Sequence, residues 1–157
     1  VINMAIRNIV KEGDERLAKV CRPVEKFDRH LEELVHDMKD TLKLAEGLGL
    51  AAPQVGILRR VVVVVDDNGK MFELINPEIV EAVGEQEAHE GCLSIPGVFG
   101  VTRRPARVTV RAKNVKGEDV QYTREGITAV CFCHELDHLD GILFRTHVEH
   151  YLVPDED

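Results

Sequence analysis

The sequence of 157 residues predicts an α+β fold, and three observations support that prediction. One helix-period pattern of apolar residues lies in the first third of the chain, and a second lies near its C-terminal end. Between them, apolar and alternating segments are separated by turn signals. Hairpins between two helices are typical of α+β domains, whereas strands that alternate with helices predict parallel sheets.

Two helices are predicted in the N-terminal part of the chain. Residues 14–20 predict a short helix capped by Asp14. A long amphipathic helix follows Asp28, which is a suitable N-cap, and Gly47 is expected to end it. One face of this helix is therefore expected to be buried. The apolar residues at helical spacing on that face are Leu31, Leu34, Val35, Met38, Leu42 and Ala45.

An antiparallel hairpin is predicted in the middle of the chain. Residues 60–66 form a valine-rich run that is typical of a buried strand, and Asn68-Gly69 is a tight-turn dipeptide. Residues 71–75 are expected to return as the partner strand. Residues 79–83 are expected to add another strand.

The C-terminal half of the chain predicts a second hairpin and a helix. Residues 107–113 alternate between polar and apolar side chains, as in a half-exposed strand. A turn at residues 116–118 then leads into a strand over residues 119–124. The last predicted element is a helix over residues 126–139, which Gly141 ends.

The composition indicates an ordinary globular protein, with 44% hydrophobic and 31% charged residues. A net charge of −8 argues against non-specific nucleic-acid binding, so we expect no DNA partner. No apolar run approaches the roughly 18 residues that a membrane span needs. Residues 1–4 lack the charged-then-apolar pattern of a signal peptide. We therefore expect residues 1–157 to form one catalytic domain in the cytoplasm, without membrane contact.

The four cysteines are not expected to form disulfides. Cys131 and Cys133 are two positions apart in a predicted helix and so point to different faces. Disulfides are also rare in a reducing cytosol. Cys21 is expected to fill apolar space, while Cys92 stands alone after a glycine.

The predicted last helix contains the motif His134-Glu135-Leu136-Asp137-His138. Histidines four residues apart lie on one helical face and can share a metal ion, and the glutamate beside the first can take a proton from a water molecule. The alternative is a solvated charge cluster on the helix surface.

The helical register favours the metal site over that alternative. Ile127, Val130 and Cys131 precede His134 by seven, four and three positions, so the histidines continue an apolar stripe. Histidines on a buried face are costly unless they have partners, and a bound metal would supply them.

A catalytic metal site usually has three protein ligands and one open position, so a third ligand is needed. Cys92, in Glu90-Gly91-Cys92-Leu93-Ser94, could supply a thiolate or could be an inert core cysteine.

The glycine- and alanine-rich residues 47–56 permit close approach of a substrate backbone, and Gln54 is the one neutral hydrogen-bonding side chain among them. This segment could also be only a tight helix-to-strand connection. It has the wrong spacing for a phosphate-binding loop.

Taken in order, residues 47–54, 90–94 and 134–138 resemble the three signature motifs of the peptide deformylase family. The resemblance extends from residue 14 to residue 144. It implies the family's fold, in which mixed and antiparallel β-sheets pack around a central metal-binding helix. It also implies the family's activity, which is the metal-dependent removal of the formyl group from the N-terminal formylmethionine of nascent polypeptides, with release of formate.

The resemblance further implies a metal centre and a catalytic base. Cys92, His134 and His138 would bind one divalent metal ion, and Glu135 would act as general base and then general acid. The ligand types alone point to Zn²⁺. The resemblance instead implies Fe²⁺ in the cell, with Zn²⁺ or Ni²⁺ in purified protein.

The resemblance also implies an oxyanion site and a substrate pocket. The Gln54 side-chain amide and the Leu93 backbone N–H would hold the oxyanion. The expected partners are N-formyl-methionyl nascent peptides. The residues implied to contact them are Leu48, Gly49, Ala88, Glu90, Gly91, Ile127, Val130 and Cys131.

Three further residues, Asp137, Arg104 and Glu46, are expected either to orient the ligands or to form an ordinary ion pair. Cys133 stands where many family members carry glutamine, and we expect it to pack in the core. The acidic residues 155–157 do not support a transient ribosome association through the tail.

Three rival functions remain on the sequence alone. His-Glu-x-x-His also occurs in zinc peptidases, although their third ligand is usually Glu, His or Asp. A non-catalytic peptide- or metal-binding domain is disfavoured by the presence of both Glu135 and Gln54. A structural zinc site would need four closed protein ligands.

Overall fold

The computed structural model describes residues 6–153. The predictions on residues 1–4 and on the acidic residues 155–157 lie outside this range. Two helices and eight strands are described, together with three 3-10 turns (Glu15–Ala18, Ala52–Val55 and Phe144–His147). In chain order these helices and strands are α1 (Arg29–Ala45), β1 (Gly49–Ala51), β2 (Val61–Val65), β3 (Met71–Val83), β4 (Gln86–Cys92), β5 (Ile95–Arg104), β6 (Arg107–Lys113), β7 (Asp119–Glu125), α2 (Gly126–Leu139) and β8 (His150–Leu152).

The N-terminal helices form close to where the sequence predicts them. The predicted helix at residues 14–20 is the 3-10 turn Glu15–Ala18, and the Asp14 side chain caps it. The Asp28 carboxylate likewise caps α1 by accepting a hydrogen bond from the Leu31 backbone N–H at 3.1 Å. The expected stop at Gly47 is wrong by one residue, because Glu46 takes the left-handed conformation (φ 56°) and closes the helix.

The larger sheet is antiparallel, with strand order β1-β2-β3-β6-β7. Residues Val61 to Val64 of β2 are all fully buried, because α1 packs on one face of the sheet and α2 on the other. The predicted strands at 71–75 and 79–83 are one long strand, β3. Its pairing with β6 shifts register on either side of Glu78, and Asn76 has a positive φ of 52°.

The smaller sheet, with order β4-β5-β8, was not predicted. Residues 95–100, which are in none of the predicted strands, form the first half of β5 and pair with β4. This strand is difficult to predict from the sequence, because it contains Pro96, Gly97 and Gly100, and proline and glycine are depleted in β-strands.

Helix α2 lies between the two sheets and contacts β1, β2, β6 and β7 on one side and β4 and β5 on the other. Cys21, Cys131 and Cys133 are buried in the apolar cluster around this helix. All four cysteines, including Cys92, carry free thiols, in agreement with the sequence analysis. No helix in residues 6–153 combines the length and the apolar character needed to cross a membrane.

Candidate active site

Three side chains that can ligate a metal meet where α2 faces the end of β4. His134 and His138 are one helical turn apart, and their ring centroids are 5.1 Å apart. Cys92 is the last residue of β4, and its Sγ lies 3.4 Å from Nε2 of His138. One ligand atom from each of the three residues lies within 4.8 Å of the other two. The fold therefore brings together residues that are more than forty positions apart in sequence.

A buried hydrogen-bond network fixes the ring of His134. Its Nδ1 lies 2.9 Å from a carboxylate oxygen of Glu90, which leaves Nε2 for the side of the ring that faces Cys92. Glu90 also accepts hydrogen bonds from Thr102 and from two guanidinium nitrogens of Arg104, at 2.7 and 3.0 Å. A carboxylate behind a ligating histidine is the arrangement that orients imidazole ligands in metal sites.

The same network includes Arg104 and Asp137, two of the three residues that were expected to orient the ligands or to form an ion pair. Arg104 donates to Asp137 at 2.9 Å, and the exposed His147 also contacts this carboxylate at 3.1 Å. Burial on its own would raise the pKa of Glu90, but the hydrogen bonds from His134, Arg104 and Thr102 lower it to about 2. Glu90 is therefore anionic at neutral pH. The third of these residues, Glu46, lies outside the network and caps the C-terminal end of α1.

The electrostatics of the three ligands suit a bound cation. Burial would lower the pKa of His134, yet the charge of Glu135 and the side-chain contacts with Cys92 and Glu90 raise it to about 10. Surroundings that favour a proton on this ring favour any cation there, including a metal ion. Burial, followed by repulsion from His134, lowers the pKa of His138 to about 3, so this imidazole is neutral and can coordinate. A thiol and two imidazoles around one point fit a divalent transition metal.

Glu135 is buried beside the three ligands. Burial raises the pKa of its carboxyl group to about 7, which is the range in which a group can both take and give a proton near neutral pH. Its Oε1 is buried and has no hydrogen-bond partner among residues 6–153. A buried carboxylate oxygen without a partner is costly in a purely structural residue. Glu135 is therefore placed to exchange a proton with a molecule bound in the site.

Strand β1 approaches Glu135 so closely that only glycine fits at its first position. A Cβ atom on Gly49 would lie 2.6 Å from Oε2 of Glu135 and 2.7 Å from Sγ of Cys131. The Cys131 thiol contacts the Leu48 carbonyl at 3.3 Å from the same side. The glycine-rich segment thus permits close backbone approach, as the sequence indicated.

The Gln54 side chain reaches the ligands from the 3-10 turn after β1. Its Oε1 accepts a hydrogen bond from the Ala51 backbone N–H at 2.9 Å. Its Nε2 lies 3.1 Å from Oγ of Ser94 and 3.6 Å from Sγ of Cys92. The N–H end of the amide therefore faces the ligand cluster. Leu93, which follows Cys92, is partly buried.

A cavity of about 700 Å³ opens above Glu135, His134 and Cys92. Every residue that the sequence analysis assigned to substrate contacts lines it: Leu48, Gly49, Ala88, Glu90, Gly91, Ile127, Val130 and Cys131. Gln54 and Leu93 also line the cavity, whereas His138 is buried and is not among the lining residues.

The predicted apolar stripe on α2 is not buried along its whole length. Ile127 is 63% exposed, because the stripe follows the cavity from its mouth to His134 at its floor. The exposed end of the stripe thus belongs to the residues that the family resemblance implies for substrate contact. Phe99 of β5 also lines the cavity, which the sequence did not predict. Its ring lies so close to Gly91 that a Cβ atom at position 91 would be 2.6 Å from it.

Residues 6–152 match the family model for polypeptide deformylase. A peptide deformylase from Acetivibrio thermocellus is 53% identical over 98% of this chain and 89% of the relative. Peptide deformylase 2 from Clostridium acetobutylicum is 51% identical over 95% of this chain and 99% of the relative.

Solved structures give the same answer. The crystal structure of a peptide deformylase from Legionella pneumophila superposes with a TM-score of 0.89 and 44% identity, over 92% of this chain and 87% of the other. A Met-Ala-Ser-bound class I type b peptide deformylase from Acinetobacter baumannii superposes with a TM-score of 0.87 and 31% identity, over 93% and 100%. Sequence, fold and site geometry thus agree that the chain belongs to the peptide deformylase family.

Proposed function

We propose that this chain hydrolyses the formamide bond of N-formyl-methionyl peptides and releases formate. One observation carries the proposal: Glu135 lies beside the Cys92, His134 and His138 cluster at the floor of a largely apolar cavity. A buried carboxyl group beside three candidate metal ligands, at the end of an apolar pocket, supports a hydrolase that binds an extended, apolar peptide terminus.

The metal-binding role of Cys92, His134 and His138 rests on their convergence and on the Glu90 contact that orients His134. A divalent metal held by these three residues would supply Lewis-acid activation of a water molecule and of the formyl oxygen. The family resemblance favours Fe²⁺ in the cell, and Zn²⁺ or Ni²⁺ suits the same donor set in purified protein.

Glu135 transfers the proton. As a carboxylate it takes a proton from the attacking water while the oxygen of that water bonds to the formyl carbon. As a carboxylic acid it then returns the proton to the leaving amine nitrogen when the C–N bond breaks. Formate and a free methionyl amine result. The raised pKa of Glu135, caused first by burial, suits both halves of this cycle.

Gln54 and Leu93 stabilise the charge that develops on the formyl oxygen. The Nε2 end of the Gln54 amide already faces the ligand cluster. The Leu93 backbone follows Cys92 directly and lines the cavity beside it. Fixed N–H donors aimed at a developing oxyanion contribute more in a buried site than in water.

The cavity determines which peptide terminus is accepted. Ile127, Val130, Cys131 and Ala88 provide apolar surface for the methionine side chain, and the related Acinetobacter baumannii enzyme is described as bound to Met-Ala-Ser. Leu48, Gly49 and Gly91 offer backbone for the peptide to pair in an extended form. Glu90 also lines the cavity, where it contacts His134.

The size of the acyl group is limited at the cavity floor. Gly49 lies against Glu135 and Cys131 with no room for a Cβ atom. A formyl group is the smallest acyl group, so we expect acetylated termini to be rejected. The expected partners are nascent formylated chains in the cytoplasm, where such chains arise.

The substrate assignment is tested by comparing formyl-Met-Ala-Ser with acetyl-Met-Ala-Ser as substrates of anaerobically prepared, iron-loaded protein. We expect formate from the first peptide and less than a hundredth of that rate of acetate release from the second. Cleavage between Met and Ala, detected by mass spectrometry, would instead identify a peptidase. Equal rates on both peptides would contradict the proposed size limit.

A further inference from the structure

The hydroxyl group of Ser94 contacts the Gln54 side chain, and Ser94 is not among the residues that line the cavity. Ser94 Oγ lies 3.1 Å from Nε2 of Gln54, and the residues are 0% and 1% exposed. The other end of the same amide is also occupied, because Oε1 of Gln54 accepts from the Ala51 backbone N–H. Both ends of the Gln54 amide are therefore held by protein groups.

This pairing determines where the second N–H bond of Gln54 points. A primary amide nitrogen carries two hydrogens. When one of them is donated to Ser94 Oγ, the other is directed toward Cys92 Sγ, which lies 3.6 Å away. That second hydrogen is the donor available to a formyl oxygen bound at the ligand cluster.

The two partners are also fixed through their backbones. The N-terminal segment passes across both, with the Val10 N–H donating to the Gln54 carbonyl and the Glu12 N–H donating to the Ser94 carbonyl, each at 2.8 Å. Neither residue can move far from the other without breaking one of these bonds. These backbone hydrogen bonds thus hold Gln54 and Ser94 in the positions at which their side chains meet.

We infer that Ser94 is a positioning residue that aims the Gln54 amide at the reacting carbonyl oxygen. This inference rests on the proposed role of Gln54 in oxyanion stabilisation. Without the Ser94 hydroxyl, one buried N–H of Gln54 loses its acceptor, and the amide rotates to find another. Ser94 thereby acts on the transition state through Gln54 and leaves substrate binding unchanged.

A double-mutant cycle separates positioning from a merely structural role. Ser94→Ala is compared with wild type, and again in a Gln54→Met background, which keeps the side-chain length and removes the amide. We expect Gln54→Met to lower kcat about a hundredfold, as the loss of one oxyanion donor does. Ser94→Ala should lower kcat about tenfold in wild type, change KM by less than twofold, and have no further effect in Gln54→Met.

Thr41→Val is the matched control, since it removes another buried hydroxyl (2% exposed) on α1, away from the site. It should match Ser94→Ala in its effect on the melting temperature and leave kcat unchanged. Should Ser94→Ala fail to fold, Ser94→Cys keeps a weak acceptor and replaces it in the cycle, with a smaller loss expected.

Two results would overturn the inference: a loss of kcat from Ser94→Ala that is equal in both backgrounds, or no loss in wild type. Either result, with wild type still releasing formate, leaves the proposed function intact. Absence of formate release by wild type would reject the proposed function, and the inference with it.

Discussion

Charges in the site are controlled residue by residue through burial and the nearest partner. Glu90 and Glu135 are both buried glutamates within the same site, yet the pKa of the first is lowered to about 2 and that of the second is raised to about 7. The difference arises because Arg104, Thr102 and His134 donate hydrogen bonds to Glu90, whereas one oxygen of Glu135 has no partner among residues 6–153. One carboxylate therefore holds the ring of His134, and the other keeps an oxygen without a partner among residues 6–153.

Cysteine substitutions test which thiol binds the metal. Burial raises the pKa of Cys133 to about 11, so its thiol is neutral within the apolar cluster, while Cys92 faces both histidines. We expect Cys92→Ala to lose the bound metal and all formate release. Cys133→Ala, the matched control, should retain one metal ion per chain and near wild-type activity, as measured by plasma emission after desalting. Metal loss from both variants, or from Cys133→Ala alone, would contradict the assignment.

The raised pKa of Glu135 makes the stability of the metal-free protein depend on pH. Its folded value of about 7 lies above the ordinary value of 4.5, so the folded chain holds a proton that the unfolded chain releases between these values. The resulting stability is complete below pH 4.5 and is lost as the pH rises through 7. The loss is about 3 kcal/mol, because each pKa unit corresponds to about 1.4 kcal/mol.

Glu135→Gln removes this dependence. In metal-free protein, its melting temperature relative to wild type should be higher at pH 8 than at pH 5. Thermal unfolding followed by circular dichroism at both values provides the measurement. A difference that is the same at pH 5 and pH 8 would show that the Glu135 carboxyl group is not buried as described.

Among the elements, α2 contributes most to the candidate site, because it carries His134, Glu135 and His138. Arg60, at the start of β2, holds the C-terminal end of this helix. Its guanidinium donates to the Leu139 carbonyl at 3.1 Å and to the Asp140 carboxylate at 3.0 Å. A cation at this end also interacts favourably with the helix dipole. This contact fixes the turn of the helix that contains His138.

Replacing Arg60 should loosen that turn. We expect Arg60→Gln to lower the free energy of unfolding by about 1–3 kcal/mol, as the loss of charged hydrogen bonds does. It should also speed metal loss to a chelator. Arg59→Gln changes an exposed neighbour and should be close to neutral in both measurements. Equal effects of the two substitutions would show that the α2 contact is unimportant.

The sequence predicted helices better than sheets, for physical reasons. The apolar period of α1 and the caps at Asp14 and Asp28 are local signals, and the structure confirms them. Strand β4 (Gln86–Cys92) carries polar residues on both faces, because Glu90 is one of its two buried residues, and β8 has three exposed residues at a sheet edge. Neither has a periodic signal of its own, since each is held by pairing with β5.

The residues of the site also differ in how well the sequence predicts them, depending on whether their signal is local or depends on distant segments. The spacing of His134 and His138 identified them directly, because four residues make one helical turn. The local sequence made Cys92 and Gln54 candidates, and only the family resemblance assigned their roles. Phe99 and the acceptor role of Ser94 went unnoticed because they depend on the approach of β5 and the 3-10 turn, which are distant in sequence.

At the scale of the whole molecule, the site is assembled where two sheets meet on one helix. Strand β1 belongs to the larger sheet and carries Gly49, whereas β4 belongs to the smaller sheet and carries Cys92. Helix α2 contacts both sheets and carries His134 and His138. A metal held by Cys92 and the two histidines would therefore join the smaller sheet to the helix.

The most direct test is formate release by Glu135→Gln beside wild type, both loaded with iron under anaerobic conditions and supplied with formyl-Met-Ala-Ser. We predict that the variant keeps one metal ion per chain and loses at least a hundredfold in kcat, because the ligands remain and the proton acceptor is gone. Undiminished formate release by the metal-loaded variant would contradict the account, since proton transfer would then not pass through Glu135.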